Sequence, residues 1–293
     1  MQTINEAQIG HLLRGLEIPP CPAVLADLSA EMKRADTSAA RIANLISKDV
    51  ALAGGVLKIA NSPLFASGRR ITSVSEALTM LGFKNVFNMV INQLLRKTLV
   101  TSELPMRMDR FWDSSAHNAR VCAELAGTLR GISRDVAYSF GLFHDCGMPI
   151  LMRRFADYKD TLKLANEADG RVFTDVEDER HGTNHAVIGY LMARNWALPE
   201  SVAQAILVHH DYAVFDVDAH LPEETLVLVA INVLAERVTG MFLRSSDDRD
   251  WQRGKGGVGR FLGMNEGELN DLVEDLVYRL NTEAADTAEG QNA

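Results

Sequence analysis

The chain carries only three cysteines, Cys21, Cys122 and Cys146, and no two are close enough to form a CxxC pair. That excludes a closely spaced disulfide framework and points to a reduced, cytoplasmic setting. The first residues, Met1-Gln2-Thr3-Ile4-Asn5-Glu6, have neither the basic patch nor the long apolar region of a secretory signal. No run approaches the roughly 18 uncharged apolar residues of a membrane helix, so no membrane association is expected. Proline and glycine are too sparse for extended disorder. Positive charge is also short: 30 basic against 39 acidic residues leave a formal charge of −9. That balance opposes a broad nucleic-acid or anionic-membrane footprint. No durable alternation of apolar and polar residues argues for a sheet.

What the 293 residues do contain is helical periodicity almost throughout, with 47% apolar residues to build a core. Val24, Leu25, Leu28 and Met32 recur at helical spacing, as do Ala39, Ile42, Leu45 and Ile46. Asp49 precedes a compact apolar helix ending at Asn61, whose amide is expected to tie down the following turn. Ser73 and Glu76 have the spacing of a capping box and open a helix that stops at Gly82. After another helix over 86–95, the pattern lapses around Pro105 and reads as a hinge. Helices follow over 111–129, 136–145, 185–196, 201–210 and 225–238. Asn265 and Glu268 can cap a last one over 269–280. The glycine-rich, charged stretch 249–260 reads as an exposed loop, since Lys255-Gly256-Gly257-Val258-Gly259-Arg260 lacks the order of a phosphate-binding loop. The acidic residues Asp175, Glu177, Asp178 and Glu179 read as a solvated face. The expected fold is all-α, with helical lobes over 1–100 and 109–240, a loop and packing helix over 241–281, and a frayed tail over 282–293.

Five residues form the most informative constellation: His144, Asp145, His185, His209 and His210. Each is expected near a helix end, where packed helices can aim several side chains into one cleft. Neutral imidazoles with a carboxylate suit a divalent ion such as Mn, Fe or Zn, and Asp145 can bridge two ions. A plainer role also exists for each histidine; His144 can cap its helix by bonding a carbonyl. His117 lies one turn beyond Ser114 and faces the cleft or packs in the core. His181 is expected in a loop. Cys146 has no base partner at a readable spacing, so no residue is assigned to catalysis.

An ordered set of motifs resembles the HDOD domain family over about residues 15–240. It comprises Ile18-Pro19-Pro20-Cys21-Pro22-Ala23-Val24, Ile46-Ser47-Lys48-Asp49-Val50-Ala51-Leu52, Val56-Leu57-Lys58-Ile59-Ala60-Asn61-Ser62 and Arg69-Arg70-Ile71-Thr72-Ser73-Val74-Ser75-Glu76-Ala77. Phe111-Trp112, the segment 141–147, His185 to Gly189, Leu198-Pro199-Glu200 and His209-His210 continue it. The resemblance implies two packed helical lobes, the second similar to the HD metal-dependent phosphohydrolases, and a regulatory, signal-transducing role. In the phosphohydrolase pattern a first histidine and a distant aspartate join the His–Asp pair. The pair matches His144 and Asp145, but the other two positions fall on Ser114 and Asn232. The cyclic-di-GMP phosphodiesterases add three histidines, which His185, His209 and His210 match, while their Gly-Tyr-Pro signature is missing after Tyr212. A neutral hydroxyl and a neutral amide coordinate more weakly than the residues they replace.

Three readings follow from the sequence. The resemblance favours a non-catalytic module acting through a protein partner, with a metal or small ligand in its cleft. The histidines keep open a phosphohydrolase acting on a nucleotide or cyclic dinucleotide. A nucleic-acid-binding regulator is the third reading, opposed by the acidic balance.

Overall fold

The computed structural model describes residues 16–61, 70–99, 108–129, 131–168, 170–216, 221–244 and 249–290. The hinge expected around Pro105, along with Arg69, His11 and His220, lies outside them. Every described element is a helix, and no strand occurs among the described residues. The chain divides into two compact units: Pro20–Thr98 with Asp275–Ala293, and Met1–Pro19 with Leu99–Glu274.

The first unit contains α1 (Ala23–Met32), α2 (Ala39–Ser47), α3 (Val50–Ala60) and α4 (Val74–Leu99). Three of its four helix starts are set by short polar side chains that accept otherwise unsatisfied backbone N–H groups, while α1 follows Pro22. Ser38 Oγ accepts from Arg41 N, and Asp49 Oδ1 accepts from Ala51 and Leu52 N. At the end of α3 the Asn61 amide donates to both Leu57 O and Ile71 O, while its oxygen accepts from Ile71 N, each at 2.8 Å. The turn after α3 is thereby stitched to the approach to α4. Ser73 Oγ accepts from Glu76 N, but Glu76 reaches back one residue further than a standard capping box, to the Thr72 N–H and hydroxyl. Gly82, at φ +80°, breaks α4 into two helical stretches, as the sequence predicts.

The second unit is built around α12 (Glu223–Phe242). Its neighbours are α5 (Asp109–Thr128), α6 (Arg134–Phe143), α11 (Glu200–Val208) and α13 (Arg249–Leu262). By length and composition α12 could cross a membrane, yet most of it is buried inside this unit as a core helix. Helices α5 and α6 cross closely: a Cβ on Gly141 would lie 2.8 Å from Ala119 Cα. The remaining helices are α7 (Gly147–Arg154), α8 (Tyr158–Glu167), α9 (Phe173–His181) and α10 (His185–Asn195), and the last, α14 (Glu266–Gly290), spans the division between units. Reciprocal bonds between Asn265 and Glu268 cap α14 as expected. Residues 16–19 group with this second unit, where Pro19 O accepts from Trp196 Nε1 at 3.1 Å.

Two expectations need correction. Residues 249–260 are not an exposed loop but most of α13, with Trp251, Gly254, Gly257, Val258 and Gly259 buried. The glycines serve close packing: a Cβ on Gly254 would meet Val233 at 3.0 Å, and one on Gly257 would meet Phe215 at 3.0 Å. Lys255 pairs with Glu266, and Arg260 with Asp216 at 3.3 Å. The acidic stretch 175–179 is a solvated face only in part, since Asp175 and Glu179 are exposed. It lies in α9, and Glu177 is fully buried.

Candidate metal centre

The His–Asp doublet sits where α6 hands over to α7. His144 follows the last residue of α6, and its N–H bonds Phe140 O at 2.9 Å. His185 is the first residue of α10, held there by Asn184, whose side chain accepts from Val187 N. His209 and His210 follow the end of α11. Three helix termini thus deliver the cluster to one place.

Ligand atoms of Asp145, His185, His209 and His210 all lie within 4.8 Å of one another, so this group of three buried histidines and a half-buried carboxylate could hold a divalent ion. The donor set fits that use. His209 Nδ1 lies 2.7 Å from Ile206 O, and a carbonyl oxygen can only accept, so Nδ1 carries the proton. His185 Nδ1 lies 2.6 Å from Glu177 Oε2. Both Nε2 atoms therefore turn inward, 3.2 Å apart, and Asp145 Oδ1 lies 3.3 and 3.6 Å from them. That oxygen has no hydrogen-bond partner of good geometry, and neither ring nitrogen of buried His210 has one. Electron-rich atoms converging this closely call for a cation among them.

Without a metal, a proton supplies part of that charge. Burial opposes the charged form of His185, but Glu177 and Asp145 outweigh it and push the imidazole up to about 10. For His209, burial and then the neighbouring His210 act together, lowering it to about 3. Burial also works against the Asp145 carboxylate, yet His144, His185 and His209 hold it well below the usual range.

His144 is the candidate that the cluster leaves aside. Its Nδ1 faces Gly141 O at 2.8 Å, the plain helix-end role. Its Nε2 lies 3.1 Å from Asp145 Oδ2 and 3.4 Å from Glu236 Oε1. Behind it, Asn118 Nδ2 donates to Asn232 Oδ1 at 2.9 Å, both side chains being buried. The position expected to supply an aspartate is therefore an amide whose oxygen is already bonded to Asn118. Ser114 lines a cleft of about 300 Å³ with Asn118, His144, Asp145, Glu236, Arg249 and Asp250. His117 packs its ring against Phe242 instead, and His181, expected in a loop, is the last residue of α9 with Nε2 2.8 Å from Thr161 Oγ1.

Three carboxylates around the cluster escape sequence reasoning. Glu236 lies one turn beyond Asn232 on α12, a spacing that puts both on one helix face and was legible in principle. Asp250, on α13, approaches His210 Nδ1 at 3.4 Å, and Glu177 holds His185. No pattern in the sequence announces the last two. Phe173 completes the enclosure, stacked on His210 with centroids 5.7 Å apart and edge-on to His185.

The crossing of α7 and α10 is tight enough to test. A Cβ on Gly147 would sit 2.1 Å from His185 O, a backbone atom with little room to give. Gly147→Ala is expected to cost about 3 kcal/mol of stability in urea unfolding, the upper end for overpacking. The folded fraction should bind metal more weakly because His185 is displaced.

Helical packing and a His–Asp doublet with three further histidines define an HD-like helical lobe whose ligand set is incomplete. The HDOD domain model matches residues 18–212, and the chain belongs to that family. A solved HDOD domain protein of unknown function from Geobacter sulfurreducens is similar in fold, with a TM-score of 0.71 and 21% identity over 96% of each chain. A candidate phosphohydrolase from Shewanella amazonensis SB2B has the same TM-score and identity, covering 95% of this chain and 97% of its own. A curated relative, an uncharacterised protein of Treponema pallidum (strain Nichols), is 26% identical over 218 residues. That match spans 73% of this chain but only 40% of the relative.

Proposed function

We propose that the chain is a non-catalytic bacterial signal-transduction module that acts through a protein partner and holds one divalent ion, Mn, Fe or Zn, at Asp145, His185, His209 and His210. The observation that carries this reading is the buried Asn118–Asn232 bond. It puts a neutral, already bonded amide where the phosphohydrolase pattern has a metal-binding aspartate, while Ser114 stands in for the first histidine. The remaining donors suffice for one ion. When bound, such an ion would supply Lewis-acid charge to the cleft. In this reading its main effect is to lock α7, α10 and α11 together at their termini, giving a partner a defined helical surface. The cleft has room for a small ligand beside Arg237 and Arg249. The formal charge of −9 speaks against nucleic acid as partner.

The alternative, a phosphohydrolase acting on a nucleotide or cyclic dinucleotide, has one observation in its favour. Glu236 brings a carboxylate to 3.4 Å from His144 Nε2, which partly offsets the loss at Asn232. The two readings separate in a turnover assay. Protein loaded with Mn, Fe or Zn should not hydrolyse phosphomonoesters, nucleotides or cyclic dinucleotides above the protein-free rate. Turnover that disappears in Asp145→Ala would establish the alternative. Restoring both missing ligands, in Ser114→His/Asn232→Asp, should raise zinc uptake from one equivalent to two, read by elemental analysis.

A further inference from the structure

Glu177 is a fully buried carboxylate, and both its oxygens are engaged. The Tyr158 hydroxyl donates to Oε1. Oε2 accepts twice from one residue, from His185 N at 3.3 Å and from Nδ1 at 2.6 Å. The adjoining Asp178 accepts from Asn184 Nδ2 at 2.9 and 3.0 Å. Gly182, at φ +68°, turns the chain between α9 and α10, so two consecutive acidic side chains clamp two consecutive residues. Burying a carboxylate is costly even when it is bonded, and an apolar residue would pack α9 against α8 at lower cost.

The bonds from Tyr158 and His185 offset part of that cost, and they give Glu177 control over His185. With Nδ1–H committed to Oε2, Nε2 can only face Asp145 and His209, and its lone pair is offered there once an ion displaces its proton. The other two imidazoles have weaker holders: His209 bonds a neutral carbonyl, and His210 lies 3.4 Å from Asp250. The geometry points to Glu177 as the positioning residue of the metal centre: it fixes the tautomer and orientation of His185 and strengthens Nε2 as a donor, while Tyr158 holds the carboxylate in place. A carboxylate behind a ligating histidine raises the basicity of the ligand and fixes its ring. The inference rests on the single-ion reading proposed above.

Titration of the whole chain with cobalt(II) and zinc, in competition with a chelator, tests it. The wild-type protein should bind both ions. Glu177→Gln keeps the size of the side chain but removes its charge, and it should bind zinc about 10–100-fold more weakly, with a changed cobalt absorption spectrum. Asp178→Asn perturbs the same helix junction without touching His185, and it should keep wild-type affinity and spectrum even if its melting temperature falls. No binding by the wild-type protein would overturn the metal reading and this inference together. Wild-type binding with unchanged affinity and spectrum in Glu177→Gln would overturn this inference alone. Should Glu177→Gln fail to fold, ¹⁵N NMR of the wild-type protein decides. A zinc-induced change in the His185 Nε2 resonance with Nδ1 still protonated supports the assignment, and metallation of Nδ1 overturns it.

Discussion

Replacing Asp145 with alanine is expected to abolish measurable metal binding and to destabilise the metal-free protein as well. The carboxylate is the only anionic member of the four-residue cluster. Losing a direct ligand should weaken zinc binding beyond the roughly 100-fold reached by changes to supporting residues. In the metal-free protein Asp145 also faces His144, His185 and His209. Its removal leaves charge on buried His144 and His185 less compensated, at a cost of about 3 kcal/mol, the low end of the penalty for breaking a buried pair because the Asp145 side chain is partly exposed. Isothermal titration with zinc and urea unfolding of the metal-free variant check the two effects separately. An Asp145→Ala protein that kept its stability while losing metal would mean that the histidines relax to neutral forms.

The second large effect is the dependence on pH. His185 is raised from 6.5 to about 10 in the folded protein, so its contribution is complete below about 6.5 and is lost as pH rises through 10. His209 is lowered from 6.5 to about 3, so its contribution is present above 6.5 and is lost as pH falls toward 3. Asp145, held below its ordinary value, adds to the loss on the acid side. The metal-free protein should therefore be most stable near neutrality and lose a few kcal/mol in either direction. Each pH unit that separates a group's folded and unfolded pKa values is worth about 1.4 kcal/mol. Metal reverses the alkaline limb, because the ion must displace the proton on His185. Zinc affinity should rise about tenfold per pH unit up to the folded pKa of His185. Thermal melts with and without zinc across neutral and mildly alkaline pH would show the two curves diverging. Parallel curves would mean that His185 is already neutral in the metal-free fold.

Much of the centre was legible in the sequence because its ligands occupy helix boundaries, and boundaries leave marks. A doublet after an apolar run and a pair closing an apolar helix both stand out. Ser114 and Asn232 were legible as replacements only through the ordered motifs of the family. Glu177 was hidden because an acidic run ordinarily faces water, and nothing local shows that Tyr158 and His185 lie beneath it. Asp250 was hidden by its glycine-rich neighbourhood. Glycines at 254, 257 and 259 suggest a loop by composition, and only Val233, Phe215 and Met264 reveal that they let α13 approach closely. Short-range capping, as at Asn61 and Asn265, was readable because both partners lie within a few residues. Supporting carboxylates that act across helices have no such local signature.

Metal stoichiometry is the most direct measure of a centre reduced to one ion. Calorimetric titration of the metal-free wild-type chain with zinc should give a single equivalent, removed by chelator and absent in Asp145→Ala. Two equivalents would show that Glu236 and His144 rebuild a second position, and no binding at all would show that the histidines serve packing alone.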